Sequence, residues 1–146
     1  MKLKRLPTEN HVVRHVKKRQ ILRDDHGNIF GITPDAVKLR DDETYLSVTW
    51  LEHFDQDYEQ GLIGAAGGIR SARFVAAKDG FSVAGVDAIQ EACASRDVKV
   101  RIVHQPNKLN NTGHSALRQL PQEHQDLFEL LATEAFTDTR SADTVP

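Results

Sequence analysis

Between His104 and Ser115 the chain places two imidazoles, three asparagine amides and a serine hydroxyl within twelve residues, with Pro106 and Gly113 as turn formers. Imidazole is the side chain whose ordinary pKa lies closest to neutrality, so His104 and His114 brought together would serve as a general acid and a general base. Asn111 would then orient one ring or hold an oxyanion, and Glu52, at the carboxyl end of an expected strand, would position the other groups. This is the chemistry of a small hydrolase or nuclease. The same rings could ligate a metal, but two histidines are too few and the segment holds no carboxylate, so a third ligand such as Glu52 would be required. No metal and no cofactor is expected. A purely structural role is the competing reading: Asn110 or Asn111 ends turns, Ser115 caps a short helix, and a half-buried His104 satisfies a backbone carbonyl.

The remaining histidines offer less. His53 follows Glu52 directly, and the two form a second candidate place for a site. His11 and His15 lie four residues apart in an extended segment, where they share a face. His124 sits one turn from Leu120 and Phe128 on an amphipathic stretch. Cys93, the one cysteine, is flanked by alanines on an expected helix and reads as a small buried thiol. Gly61, Gly64, Gly67 and Gly68 depart from the G-x-G-x-x-G spacing, and no Lys-Ser or Lys-Thr follows them, which argues against a nucleotide-cradling loop. Nor does the chain contain G-x-S-x-G or H-E-x-x-H.

Charge adds a second line of inference. Lys2 to Arg23 carries eight basic residues against the single acidic Glu9, in a chain of net charge −2, so the rest of the molecule is acidic. A basic edge over residues 1–23 would meet a nucleic acid backbone through Arg14, Lys17, Lys18 and Arg19, with the polar loop and its His53 and Ser115 neighbours completing the interface. No aromatic residue interleaves with these bases, although single-strand binders usually stack bases on aromatic rings. A protein partner, or the acidic face of a second copy, therefore competes for the same edge.

The elements that must position these groups are partly legible. His11–Val16, Asn28–Thr33 and Thr44–Leu51 read as strands, and in the last of them Leu46, Val48 and Trp50 alternate with Tyr45, Ser47 and Thr49. Trp50 to Phe54 resembles the start of a short helix. The Gly/Ala-rich stretch 60–77 reads as a small-residue helix or turn packed on the sheet, with Arg70 and Arg73 facing water. Phe81–Val83 suggests a short strand, Val86–Ser95 a helix, and Val98–His104 a strand with His104 on the core-facing parity. Pro121 at a first helical position opens a helix whose stripe is Leu120, Leu127, Phe128, Leu131 and Ala135. The tail 137–146 has little to bury and is expected to be disordered.

A chain of 146 residues with 39% hydrophobic and 27% charged residues suits one globular domain. Its longest stretch without charged or strongly polar groups, Gly61 to Ile69, is far short of the roughly 18 residues of a membrane span. No secretory leader is legible behind Lys2, Lys4 and Arg5, which together with the lone cysteine points to the cytoplasm. The combination of His11-Val12-Val13-Arg14-His15-Val16, Leu46-Ser47-Val48-Thr49-Trp50-Leu51-Glu52 and Val103-His104 with Asn111-Thr112-Gly113-His114-Ser115, followed by Leu120-Pro121, resembles a group of small uncharacterised bacterial proteins. The resemblance implies a bacterial setting and no particular chemistry.

The expectation is therefore an α+β domain over 1–136, a mostly antiparallel sheet covered by two or three helices. Its first functional reading is a non-enzymatic accessory protein that binds a protein or nucleic acid partner. The alternative is the hydrolase built on His104 and His114.

Overall fold

A computed structural model describes residues 3–106 and 110–146. Lys2 of the basic run, and Asn107, Lys108 and Leu109 of the polar loop, lie outside the described residues. The fold is α+β, with a mostly antiparallel sheet. Eight strands are present among the described residues: β1 (His11–Val16), β2 (Ile21–Arg23), β3 (Ile29–Ile32), β4 (Tyr45–Trp50), β5 (Gly80–Gly85), β6 (Arg101–His104), β7 (His114–Arg118) and β8 (Phe136–Ser141). Six of them form one sheet in the order β6-β7-β4-β1-β5-β8, while β2 and β3 make a separate hairpin. The helices are α1 (Tyr58–Ala72), α2 (Val86–Ala94) and α3 (Gln125–Leu130), the last continued by a π-helical turn over Leu131–Ala135.

Period-two alternation places two cores on the two faces of the sheet. On one face Val12, Leu46, Val48, Ile102 and Leu117 meet Ile89 and Cys93 of α2 and Leu127 and Phe128 of α3. On the other, Val13, Phe81 and Val83 meet Leu62, Ala65, Ala66 and Ile69 of α1. Each fully buried aliphatic or aromatic side chain of this kind contributes roughly 1.5–3 kcal/mol. Cys93 belongs to the first core, and its burial pushes the thiol up to about 11.

α1 explains the Gly/Ala-rich stretch. Asp57 caps it by accepting from the Gln60 amide at 3.0 Å, and its small residues let it settle on the turn that follows β4. A Cβ built on Gly61 would lie 2.4 Å from Leu51 Cδ2 and 2.7 Å from the Asp55 carbonyl oxygen, and one on Gly64 would lie 2.4 Å from Phe54 Cβ. Gly67 faces open space. Gly61→Ala should therefore destabilise the protein by roughly 1–3 kcal/mol through overpacking, whereas Gly67→Ala should stabilise it by up to about 1 kcal/mol through helix propensity. Denaturant melts of the two variants against the native chain read both signs.

Several local expectations are corrected. Trp50 to Phe54 is a turn, closed by Phe54 N–H to Leu51 O at 3.1 Å, and the helix waits for the Asp57 cap. The last helix begins after His124, whose Nδ1 accepts the Leu127 amide, rather than at Pro121. Val98 lies before β6, bonded back to Cys93 O at 2.9 Å. Ser115 lies within strand β7 and caps no helix. The tail is ordered: β8 pairs with β5 across Gly80–Ala84, and Ala142 and Val145 are buried. Arg70 does not simply face water, since its guanidinium donates to the carbonyls of Ala142, Val145 and Pro146 and lies 5.1 Å from the Phe81 ring.

Candidate functional site

The β1–β4 ladder is short. Val12 pairs with Trp50 and Val13 with Thr49, after which β1 stays with β5 and β4 stays with β7. Past those two pairs the half-buried Arg14 side chain bridges the strands, donating to Ser47 O at 2.7 Å and to Ala36 O at 2.6 Å. Burial lowers its guanidinium to about 10, against the raising pull of Glu43. On the α1 face a polar cavity of about 50 Å3 opens here, walled by His15, Ser47, Thr49, Arg73, Asn111 and His114 among others. Ser47 and Arg73 also line an adjoining cleft of about 350 Å3, whose far lip carries Asp42 and Glu43.

At the floor, His114 is held from both sides. One ring nitrogen, Nδ1, lies 2.7 Å from the Gln105 carbonyl, which can only accept, so Nδ1 carries the proton. In the neutral ring Nε2 is then the acceptor, and the Ser47 hydroxyl donates to it at 2.6 Å. Asn111, almost fully buried, donates from Nδ2 to Thr49 Oγ1 at 2.9 Å and accepts the Gly113 amide. Beside them Arg118 donates to Gln105 Oε1 and lies over the Tyr45 ring, and its Nε is buried without a partner among the described residues.

The rim is organised by Asp79. This buried carboxylate accepts from His15 Nε2 at 2.8 Å, from the Lys18 amide at 3.0 Å and from the Ala76 amide at 3.1 Å. It thereby ties the 3-10 turn Lys18–Gln20, on which Lys18 and Arg19 are exposed, to the segment that leaves α1. That segment begins with Arg73, whose side chain makes no hydrogen bond or ion pair among the described residues. Phe74 follows with 81% of its surface exposed. Arg73 adds positive field at both Arg14 and His15, and Lys17 adds to it at His15.

His15 is held below its ordinary imidazole value, chiefly by burial and further by Arg73 and Lys17, against the opposing hydrogen bond to Asp79. A lowered folded-state value means that the unfolded chain binds the proton more readily. The contribution of His15 is therefore complete above the ordinary value of 6.5 and is lost as the pH falls through the folded-state value. Urea melts stepped down from pH 8 should lose stability over that range, and His15→Asn should flatten the loss.

The residues expected to act together are divided. His104 pairs with Ser115, which puts His104 on one face of the sheet and the neighbouring residue of β7, His114, on the other. The cavity that His114 lines does not include His104, and with the two side chains on opposite faces of the sheet the expected acid–base pair does not converge. His104 instead bonds Thr112 O at 2.8 Å and sits with its ring 5.2 Å from Trp50 and 5.1 Å from His53. Exposed His53 reaches Thr112 Oγ1 at 3.1 Å and is lowered by burial, then by His104. Glu52 is committed to His11, binding its amide at 2.7 Å and its Nδ1 at 2.6 Å, away from His114.

Of the expected binding residues, Lys17, Lys18 and Arg19 remain at the surface or partly so, but Arg14 is occupied between the strands. Ser115 is fully buried and bonded to Gly113 O, and so cannot reach a partner. The basic run is not one edge either. Lys4 and Arg5 lie along β6, at one side of the sheet, whereas Lys17 to Arg19 follow β1 near Asp79. Ser47, Arg73, Phe74 and Asp79 were not expected in a site. Adjacent Arg73 and Phe74 at the end of a small-residue helix were the one signal for them. Among the described residues no group of three metal-ligating side chains is gathered, and no helix is long and apolar enough to cross a membrane. Set against protein-family models, curated proteins and solved structures, the chain matches none of them.

Proposed function

We propose that the protein is a binding module for single-stranded nucleic acid, an accessory member of a bacterial multi-protein system, with its interface at the rim of the β1–β4 cleft. The observation that carries this reading is the Arg73 side chain, without a hydrogen bond or ion pair among the described residues, next in sequence to the exposed Phe74. Lys17, Lys18 and Arg19, held against the same segment through Asp79, supply charge for the phosphate backbone. The polar loop contributes Asn111 and His114 to the wall of the inner cavity. Phe74 supplies the stacking ring that the basic run itself lacks, and every base presents a π-face to such a ring. Asp42 and Glu43 on the far lip would repel phosphates and confine the strand to the Lys17–Arg73 side. One buried cysteine suits a reducing, cytoplasmic setting.

The test is fluorescence anisotropy with labelled oligodeoxythymidine, using polyglutamate as competitor. Phe74→Ala should weaken oligonucleotide binding by about 1–3 kcal/mol while leaving its salt dependence unchanged. Binding indifferent to Phe74 and displaced equally well by polyglutamate would leave only charge in play and favour an acidic protein partner.

A further inference from the structure

We propose that Ser47 is a nucleophile activated by His114, acting on a phosphoryl centre in the β1–β4 cleft. Three features carry this. Ser47 Oγ donates to His114 Nε2 at 2.6 Å, and the Gln105 carbonyl fixes the tautomer that leaves Nε2 free to accept. A hydroxyl, a base and a group that orients the base are the parts of a covalent catalyst. Ser47 is also half-buried and lines both the inner cavity and the open cleft, whereas His114 lines the inner cavity and is buried. Finally, Arg73, unpaired among the described residues, shares both walls with Ser47, where its guanidinium can hold the anionic oxygens of the group under attack.

The step balances without any further reagent than water. Ser47 Oγ forms a bond to phosphorus as its proton passes to His114 Nε2. The bond to the leaving oxygen, in line opposite Oγ, breaks, and that oxygen takes a proton from solvent water, while His114 keeps the proton it took from Ser47. Water then attacks the phosphoserine from the side opposite Oγ and gives its proton back to solvent, and His114 returns its proton to Ser47 Oγ as the Oγ–P bond breaks. The choice of a phosphodiester as substrate class rests on the nucleic-acid reading, but the activation of Ser47 does not.

An alkyl fluorophosphonate probe tests the activation directly, because Ser47 Oγ displaces fluoride while its proton goes to His114. Peptide mass spectrometry of the intact chain should place the adduct on Ser47, with none on Ser47→Ala and at least 100-fold slower labelling in His114→Gln. Should His114→Gln fail to fold, the native chain in 8 M urea replaces it and should lose the selectivity for Ser47. No adduct, an adduct spread over the other serines, or equal rates in native and unfolded protein would overturn the proposal. Oligodeoxythymidine affinity of the same unmodified protein reports on the binding proposal separately: labelling without binding leaves an activated serine for a smaller ester, and binding without labelling leaves a passive cleft.

Discussion

Replacing Lys17, Lys18, Arg19 and Arg73 together with alanine should reduce affinity for a single-stranded oligonucleotide by about two orders of magnitude at low salt. It should also flatten the plot of log affinity against log salt by roughly 0.7 for each phosphate that is no longer neutralised. The four side chains come from two separate parts of the chain, and the Asp79 hydrogen bonds bring those parts together. Their effects should therefore combine on one ligand. Replacing Lys4 and Arg5, which follow β6 elsewhere on the sheet, should leave the slope nearly as it was. Isothermal titration or anisotropy at stepped salt concentrations compares the two variants directly.

The second large effect concerns stability. Asp79→Ala should cost about 3–5 kcal/mol, since it strands the His15 ring nitrogen and two backbone amides beside a buried imidazole. Asp79→Asn should cost less, because its amide oxygen can still accept two of the three bonds. Both variants should also loosen the rim before the sheet melts, and amide exchange at Lys18 and Ala76 should rise ahead of exchange in β5. Uniform exchange across the two regions would remove Asp79 from its organising role.

The legibility of each segment depends on the physical signal it carries. β1 and β4 announce themselves, because Val12 and Val13 bury apolar groups on opposite faces while Leu46 and Val48 recur at a period of two on one face. α1 hides its nature, since the glycines that weaken helix propensity are there to admit Leu51 and Phe54 at close range. β8 is invisible for a different reason. An edge strand of Thr137, Asp138, Thr139 and Arg140 buries few apolar groups, and its ladder to β5 is broken by a register shift between Val83 and Ala84.

The site is half legible. His114 and Asn111 stand out in the sequence as residues of chemical interest, and both wall the inner cavity. Their expected companion His104 is lost to parity, because the hairpin that joins β6 and β7 pairs His104 with Ser115 and so turns His104 and His114 to opposite faces. Ser47 carries no signal of its own in the alternating pattern of β4, where it reads as an outward polar residue. Its partner lies 67 positions away, a separation that only the sheet order could close.

Ultraviolet crosslinking of the native chain to a single-stranded oligonucleotide, with peptide mapping by mass spectrometry, tests the central claim most directly. Stacking on Phe74 beside Arg73 predicts crosslinks concentrated on the peptide that spans Phe74, accompanied by protection of Lys17 and Lys18 from amine acylation. Crosslinks confined to the Trp50, His53 and His104 cluster, or none at saturating oligonucleotide, would contradict it.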